Sequence, residues 1–307
     1  MPAHITRLAK DARQKEILRL FDEACYGQSR WQTWADFIMM AAISISNAVD
    51  SSNAEAREKT YVSIASKYKP RALDNFAKMF AAIVETMDAN PDQDCLGELY
   101  MGLDLGNQKS GQFFTPYHVC QMMARMSNDD IKAKIETQGW VSVNDCACGA
   151  GATLIAFANE CRYPGIDVNY QTSVLFIAQD IDLVTGCMCY IQLSLLGCPG
   201  YVVIGNTLTD PGLSLDGRGL IPVHSENIWY TPFYFTDIWH YRRQWWRISS
   251  LFQNPAANAA ESNPAPAEQR KPEAPKFHKE KPKEAPAATQ EPLIIMAETE
   301  TGQLTLF

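Results

Sequence analysis

Three short stretches set acids, amides and glycines where a small ligand can be held. Asp145-Cys-Ala-Cys-Gly149-Ala-Gly151 joins a strand-like run to a helix-like one. Glycines there let a backbone approach a ligand, and the N-terminus of the following helix offers free N–H groups to a carboxylate or phosphate. Gln179-Asp180 closes a second apolar run, and an acid in that place can accept both hydroxyls of a ribose. Gly205-Asn206-Thr207-Leu208 follows a third. The first loop fits neither G-x-G-x-x-G nor G-x-x-x-x-G-K-[ST], which argues against a dinucleotide or P-loop site. A tight strand–helix turn beside a solvated acid is the competing reading, because glycine-rich turns are common in α/β folds.

Other candidates carry weaker chemistry. Cys146-x-Cys148 and Cys187-x-Cys189 miss the usual C-x₂₋₄-C zinc spacing and have no matching histidine pair, so small buried apolar residues are expected. His240-Tyr-Arg-Arg-Gln-Trp-Trp-Arg247 combines cations and rings suited to phosphate contact and base stacking. The same stretch fits a terminal helix burying Phe235, Ile238, Trp245 or Trp246, and Leu251. Gln303-Leu304-Thr-Leu306-Phe307 resembles the pentapeptide by which bacterial replication and repair proteins bind the sliding clamp, a glutamine anchor beside a Leu-Phe pair for an apolar pocket.

The elements that must position these residues change along the chain. Trp34, Phe37, Ile38, Ala41, Ile45 and Val49 recur at helical steps, as do Leu73, Phe76, Phe80, Ile83 and Met87 after Pro70. Four or five helices are therefore expected in the first hundred residues. From Trp140 onward, Val141–Asp145, Val174–Ala178 and Tyr201–Ile204 read as strands alternating with helical stretches, which predicts a parallel sheet with crossover helices. Polar and small residues follow each strand, where open α/β sheets place ligands. Residues 254–292 hold eight of the seventeen prolines, ten alanines and no glycine, the composition of a disordered linker.

Composition narrows the function classes. The formal charge of −8, from 27 basic and 35 acidic residues, excludes a global positive field that would gather nucleic acid. Nine cysteines and an N-terminus without an apolar h-region argue against a secreted disulfide framework. Phe37–Ile45 falls far short of the ~20 apolar residues that span a bilayer, so no membrane partner and a cytoplasmic location are expected.

In this order, Gly111-Gln-Phe-Phe-Thr115-Pro116, Asp145–Gly151, Gln179-Asp180 and Gly205–Leu208 resemble the S-adenosylmethionine-binding half of N6-adenine DNA methyltransferases. The likeness is strongest to methylation subunits of type I restriction–modification systems and their phage- and plasmid-borne relatives. Cys95-Leu-Gly-Glu-Leu-Tyr100 resembles the helix before that family's Gly-Gln-Phe-Tyr-Thr-Pro motif, and the likeness covers roughly residues 94–208. It implies S-adenosyl-L-methionine as cofactor. Thr115 would contact the methionine end, from an element that also brings Gly111, Phe113 and Pro116. Asp145, Ala147, Gly149 and Gly151 would hold the amino acid moiety, Asp180 the ribose hydroxyls, and Asn206 the adenine amine. Asn206 stands where the family usually has Asp, and Cys146 where it has proline.

The family's catalytic Asn/Asp-Pro-Pro-Tyr/Phe is missing from this sequence. The nearest approximation is Tyr230-Thr231-Pro232-Phe233, with Asn227 upstream, where Thr231 would accept from a flipped adenine and the ring would stack on it. An aromatic strand-to-helix corner is the competing reading. With some 45 residues between Leu208 and the linker, a truncated sheet of three or four strands is expected.

The expected architecture is α/β: an N-terminal helical bundle (1–93), a truncated Rossmann-like methyltransferase domain (94–253), the linker (254–292) and a C-terminal peptide (293–307). The expected function is adenine-N6 methylation of double-stranded DNA, with a separate specificity subunit as a further partner. The alternative is a non-catalytic cofactor- or DNA-binding adaptor tethered to the replication clamp. The missing motif favours the adaptor, and the cofactor motifs favour the enzyme.

Overall fold

The computed structural model describes residues 12–25, 27–103, 105, 114–127, 130–223, 227–253, 297–298 and 304–306. Its first part is helical: α1 (Ala12–Ala24), α2 (Arg30–Asn47), α3 (Ala54–Ala65), α4 (Pro70–Ala89) and α5 (Cys95–Gly102). Pro70 occupies the first turn of α4, where its missing N–H leaves no helical bond unmade. Helix α2 buries Trp34, Phe37, Ile38 and Ala41 as its spacing requires, and also Ala42 and Ile43, because neighbours pack around most of it. Val49 lies past its end and is exposed.

Helices α6 (Tyr117–Ser127) and α7 (Ile131–Gln138) lead into the sheet. Strand β1 (Val141–Asp145) is followed by α8 (Ala152–Cys161), the short α9 (Tyr170–Ser173), β2 (Val174–Asp180), α10 (Leu183–Leu195) and β3 (Gly200–Ile204). These three strands are parallel, with Val141 beside Val174 and Phe176 beside Gly200. The side chains of β2 alternate between two cores. Val174, Phe176 and Ala178 join the larger cluster shared with α8 and α10, whereas Leu175 and Ile177 join Tyr201, Leu220 and Trp239 on the other face. Burial on both faces explains why the strands read as unbroken apolar runs. The larger cluster also takes in Ile17, Trp34, Phe76 and Met79, so the helices of residues 1–93 share one core with the sheet.

The sheet then departs from a simple parallel array. Strand β4 (Ile228–Tyr230) runs antiparallel to β3, and after a 3₁₀ turn (Pro232–Phe235) helix α11 (Asp237–Gln253) crosses the second face. This helix does not bury the face expected from its aromatic residues. Trp239 and Arg243 point inward and Trp246 is half-buried, while Phe235, Ile238, Trp245 and Leu251 are exposed. Trp239 meets Trp140 edge-on and donates from Nε1 to the Gln171 carbonyl, an anchor the alternative face lacks.

The C-terminal segment also differs from expectation. Residues 254–296 lie outside the described residues, as do Gln303 and Phe307. Leu304–Leu306 is not a free end: it forms β6, parallel to β1, with Leu304 beside Val143 and Leu306 beside Asp145. Strand β5 (Ala297–Glu298) pairs antiparallel with β6, giving the order β4-β3-β2-β1-β6-β5. Without β6 the outer edge of β1 would leave a row of unpaired backbone groups, and that edge attracts the nearest extended segment.

Candidate functional site

The loops after β1, β2 and β3 converge at the carboxyl ends of the strands. Asp145, almost fully buried, accepts from the Ala147 amide at 3.1 Å and from the Thr153 hydroxyl, which fixes the turn. Burial pushes its carboxyl above the ordinary carboxylate range, and nearby Asp180 adds to the rise. Asp180 accepts from Gly149 N at 2.7 Å, Asp182 N at 2.8 Å and the Thr185 hydroxyl at 3.2 Å, tying the first loop to β2. Cys148 N donates to the Gln179 carbonyl beside it. From the third loop, Thr207 donates its hydroxyl to the Cys146 carbonyl at 2.6 Å, and the Asn206 side chain accepts from Leu208 N at 3.0 Å.

Two glycines in the first loop have no substitute. Gly149 and Gly151 adopt φ of 51° and 93°, the left-handed region. A Cβ on Gly149 would press on the Phe114 ring at 3.2 Å, and one on Gly151 would meet Cys189 Sγ at 2.8 Å. Phe114 in turn packs on Tyr100, which brings the Thr115-Pro116 element to the loop. Both of those residues are exposed, at the rim of a cavity of about 560 Å³ whose lining includes Asp92, Asp94, Glu98 and Tyr117. Asp92 is held by Tyr117 Oη at 2.7 Å and Gln121 Nε2 at 2.9 Å. Gly111 and Phe113 lie outside the described residues.

Sequence reasoning missed Gln192 and Asp94. Gln192, fully buried in α10, donates from Nε2 to the Ala150 carbonyl and to Asp94 Oδ1, both at 2.8 Å, and accepts from Leu96 N at 3.0 Å. Asp94 caps α5 through Gly97 N at 2.9 Å. One amide thereby clamps the ligand loop to α5. No local signal marks such a residue, since a glutamine in an apolar helix shows nothing of its distant partners.

The structure does not bring Tyr230–Phe233 to this place. Thr231 N donates to the Gly200 carbonyl, so the segment sits at the start of β3, whereas the converging loops follow the strand ends. Four residue steps of strand separate the two ends, roughly 13 Å. Thr231 is fully buried and its hydroxyl is committed, accepting from Gly200 N at 3.0 Å and donating to Cys198 O at 2.7 Å. The Phe233 ring lies over Gly197. This is the aromatic corner, held by a structural hydroxyl.

Of the basic residues in α11, Arg243 donates to the Tyr234 carbonyl at 2.7 Å, and Arg242 donates to the Thr172 and Gly139 carbonyls. Arg247 is exposed. Eight of the nine cysteines are buried, Cys146 being half-buried. Among the described residues no three His, Cys, Asp or Glu side chains gather as a metal site, and no helix is long and apolar enough to cross a membrane.

Three parallel strands whose loops converge at their carboxyl ends form the arrangement in which open α/β sheets place their sites. The sequence model of the N-6 DNA methylase family matches residues 92–252, more than half of the chain, and the chain belongs to that family. No curated protein matches it. Among solved structures, it is similar to a Listeria monocytogenes protein assigned to the class I S-adenosylmethionine-dependent methyltransferases, at 18% identity and a TM-score of 0.37 over 67% of this chain and 57% of that one. It is also similar to the methyltransferase subunit of a type I restriction-modification system from Streptococcus thermophilus, at 15% identity and a TM-score of 0.32 over 67% of this chain and 46% of that one. The chain thus spans about half the length of these structures.

Proposed function

We propose that this protein binds S-adenosyl-L-methionine across the carboxyl ends of β1, β2 and β3 and takes part in methylating the N6 atom of adenine in double-stranded DNA. The observation that carries this reading is the convergence of Asp145, the Gly149–Gly151 turn, Asp180 and the Asn206 loop within the family's matched span. The residues fit the cofactor. Asp180 keeps one acceptor position on its two oxygens beyond the three donors it already holds, enough for one ribose hydroxyl. Asn206 Oδ1 has a second lone pair for an adenine amine. The missing Cβ atoms at Gly149 and Gly151 let the loop close against Phe114 and Cys189. The carboxylates of Asp92 and Glu98 beside Thr115 suit a cationic methionine end. Bound there, S-adenosylmethionine supplies an electrophilic methyl group on its sulfonium, and positioning does most of the catalytic work.

A second reading, a non-catalytic cofactor- or DNA-binding adaptor, draws on a specific observation. The chain has no Asn/Asp-Pro-Pro-Tyr/Phe, and its nearest approximation lies at the far end of the strands. Under the enzyme reading the base-holding residues come from a partner, such as a separate specificity subunit. Under the adaptor reading a sliding clamp takes the C-terminal peptide, for which Leu304–Leu306 must leave β1. Either use places the protein in the cytoplasm with DNA.

Calorimetry with S-adenosylmethionine should give saturable heat, and Asp180→Ala should weaken binding by about 1–3 kcal/mol, roughly five- to 150-fold. Absence of heat with folded wild-type protein refutes the cofactor site. Radiolabelled methyl transfer to DNA, with and without host lysate, separates the two readings: transfer supports the enzyme, and binding without transfer in either condition supports the adaptor.

A further inference from the structure

Helix α11 carries an apolar stripe on its outer side. Ile238, Tyr241, Trp245, Ile248 and Phe252 are 37, 68, 72, 50 and 80% exposed. Their spacing is three, four, three and four residues, a mean of 3.5. That is the a/d spacing by which one helix meets another along its length. The inward face is separately satisfied by Trp239 and Arg243. A contiguous stripe of this size on a soluble protein marks an interaction surface.

The flank of the stripe indicates which partner. A cavity of about 770 Å³ opens beside Ile238, Tyr241 and Trp245, and its rim holds Asp216 and Asp237 as well as Arg218 and Arg242. Two carboxylates disfavour a polyanion there, and Arg218 is committed, donating to the Trp140 carbonyl while stacked 3.8 Å from the centre of the Trp140 ring, whereas Arg242 gives the Thr172 and Gly139 carbonyls only two of its five N–H donors. A rim that bears each charge with its opposite is complementary to a copy of itself across a two-fold axis.

We propose that α11 is a dimerisation helix whose occupant is a second copy of this chain, the two helices pairing in parallel along the stripe. With Ile238, Trp245 and Phe252 as a positions and Tyr241 and Ile248 as d, Asp237 falls at g and Arg242 at e. In a parallel pair each g faces the e five residues further along its neighbour. Asp237 of one protomer then meets Arg242 of the partner subunit, and symmetry makes the contact twice. Arg247, at c, turns away from the seam. A helix of 17 residues is about 25 Å long, so the pair buries less than a standard interface and the dimer is weak, with a dissociation constant around micromolar. This inference is independent of the cofactor site.

Sedimentation equilibrium of the full chain tests it. Wild type should show a reversible monomer–dimer equilibrium. Trp245→Glu and Ile248→Glu should stay monomeric at all concentrations, with melting curves matching dilute wild type. Asp237→Arg should weaken the dimer about tenfold by turning both rim contacts repulsive. A wild type that stays monomeric into the sub-millimolar range overturns the proposal. So does a dimer that survives Trp245→Glu, because its interface would lie elsewhere. A monomer that binds duplex DNA only while Trp245 is intact also overturns it, and assigns the face to nucleic acid.

Discussion

Gln192 and Asp94 are 98 positions apart in sequence, yet the distance between a side-chain nitrogen and an oxygen of theirs is 2.8 Å. Burial pushes the Asp94 carboxyl above its ordinary value of 3.8, although Gln192 and Gly97 donate to it. The native chain therefore keeps that proton to higher pH than the unfolded chain does. The group's stabilising contribution is complete below pH 3.8 and is lost as pH rises through the folded value. Asp94→Asn keeps an acceptor for both donors and cannot ionise. Its stability relative to wild type should rise with pH across that window and then level off, measured by guanidinium unfolding at a series of pH values. A difference that stays flat with pH would show that this carboxyl titrates normally. Local turn chemistry made Asp145 and Gly149 stand out in the sequence, because a strand end, an acid and a glycine turn lie within a few residues, and Asp180 stood out as the acid that ends β2, 31 positions from the Gly149 amide it accepts from. Gln192 was illegible because its three partners come from two other segments. Thr231 misled for the opposite reason: a hydroxyl beside aromatic residues invites a chemical role, but its partners Cys198 and Gly200 already use it.

At the scale of elements, the alternation of apolar runs and helices was enough to predict the parallel β1-β2-β3 core. It could not place β6, since three residues pairing across the whole sheet domain leave no periodic trace. The C-terminal residues read as a clamp-binding peptide and not as a strand for that reason. Proline at position 305 offers a direct check. Thr305→Pro removes a backbone donor from the middle of β6, a strand with a neighbour on each side, so β6 should detach. Hydrogen exchange should then speed up at the β1 amides that face β6, while β2 and β3 keep their protection. Unchanged exchange in β1 would mean that this pairing does not protect its edge. Helix α11 teaches a similar lesson about periodicity. Its rings satisfy two stripes at once, and the sequence alone does not say which stripe meets the sheet. The Trp239 indole settles it by reaching the Gln171 carbonyl.

Across the whole molecule, a buried cation adds a strut between the helical first part and the sheet, which also share a core. Arg57 pairs with Asp50 at 2.9 Å, donates to Ser46 Oγ and to the Ile228 carbonyl of β4, and stacks 4.2 Å from the centre of the Trp229 ring. Arg57→Leu leaves Asp50 buried without its partner and should cost about 3–5 kcal/mol of unfolding free energy. Denaturant titration should show the loss, and Arg57→Lys should restore only part of it, because an ammonium lacks the planar fork. An effect below about 1 kcal/mol would place the junction's strength elsewhere in the shared core. The charge pattern of the sequence could not reveal this strut, as Arg57 reads like any polar position of a surface helix. The β1–β6 pairing has a further consequence, for the order in which the chain folds. Its partners stand about 160 residues apart, while β1 and β2 are about 33 apart and linked through a helix. Contacts of such long range form late, after the nearer strands and their helices have condensed. During that interval β1 offers a raw edge flanked by fully buried valines, a template for the strand of any neighbouring molecule. Refolding yield should therefore fall steeply with protein concentration, and the loss should occur in the slow phase that precedes closure by β6.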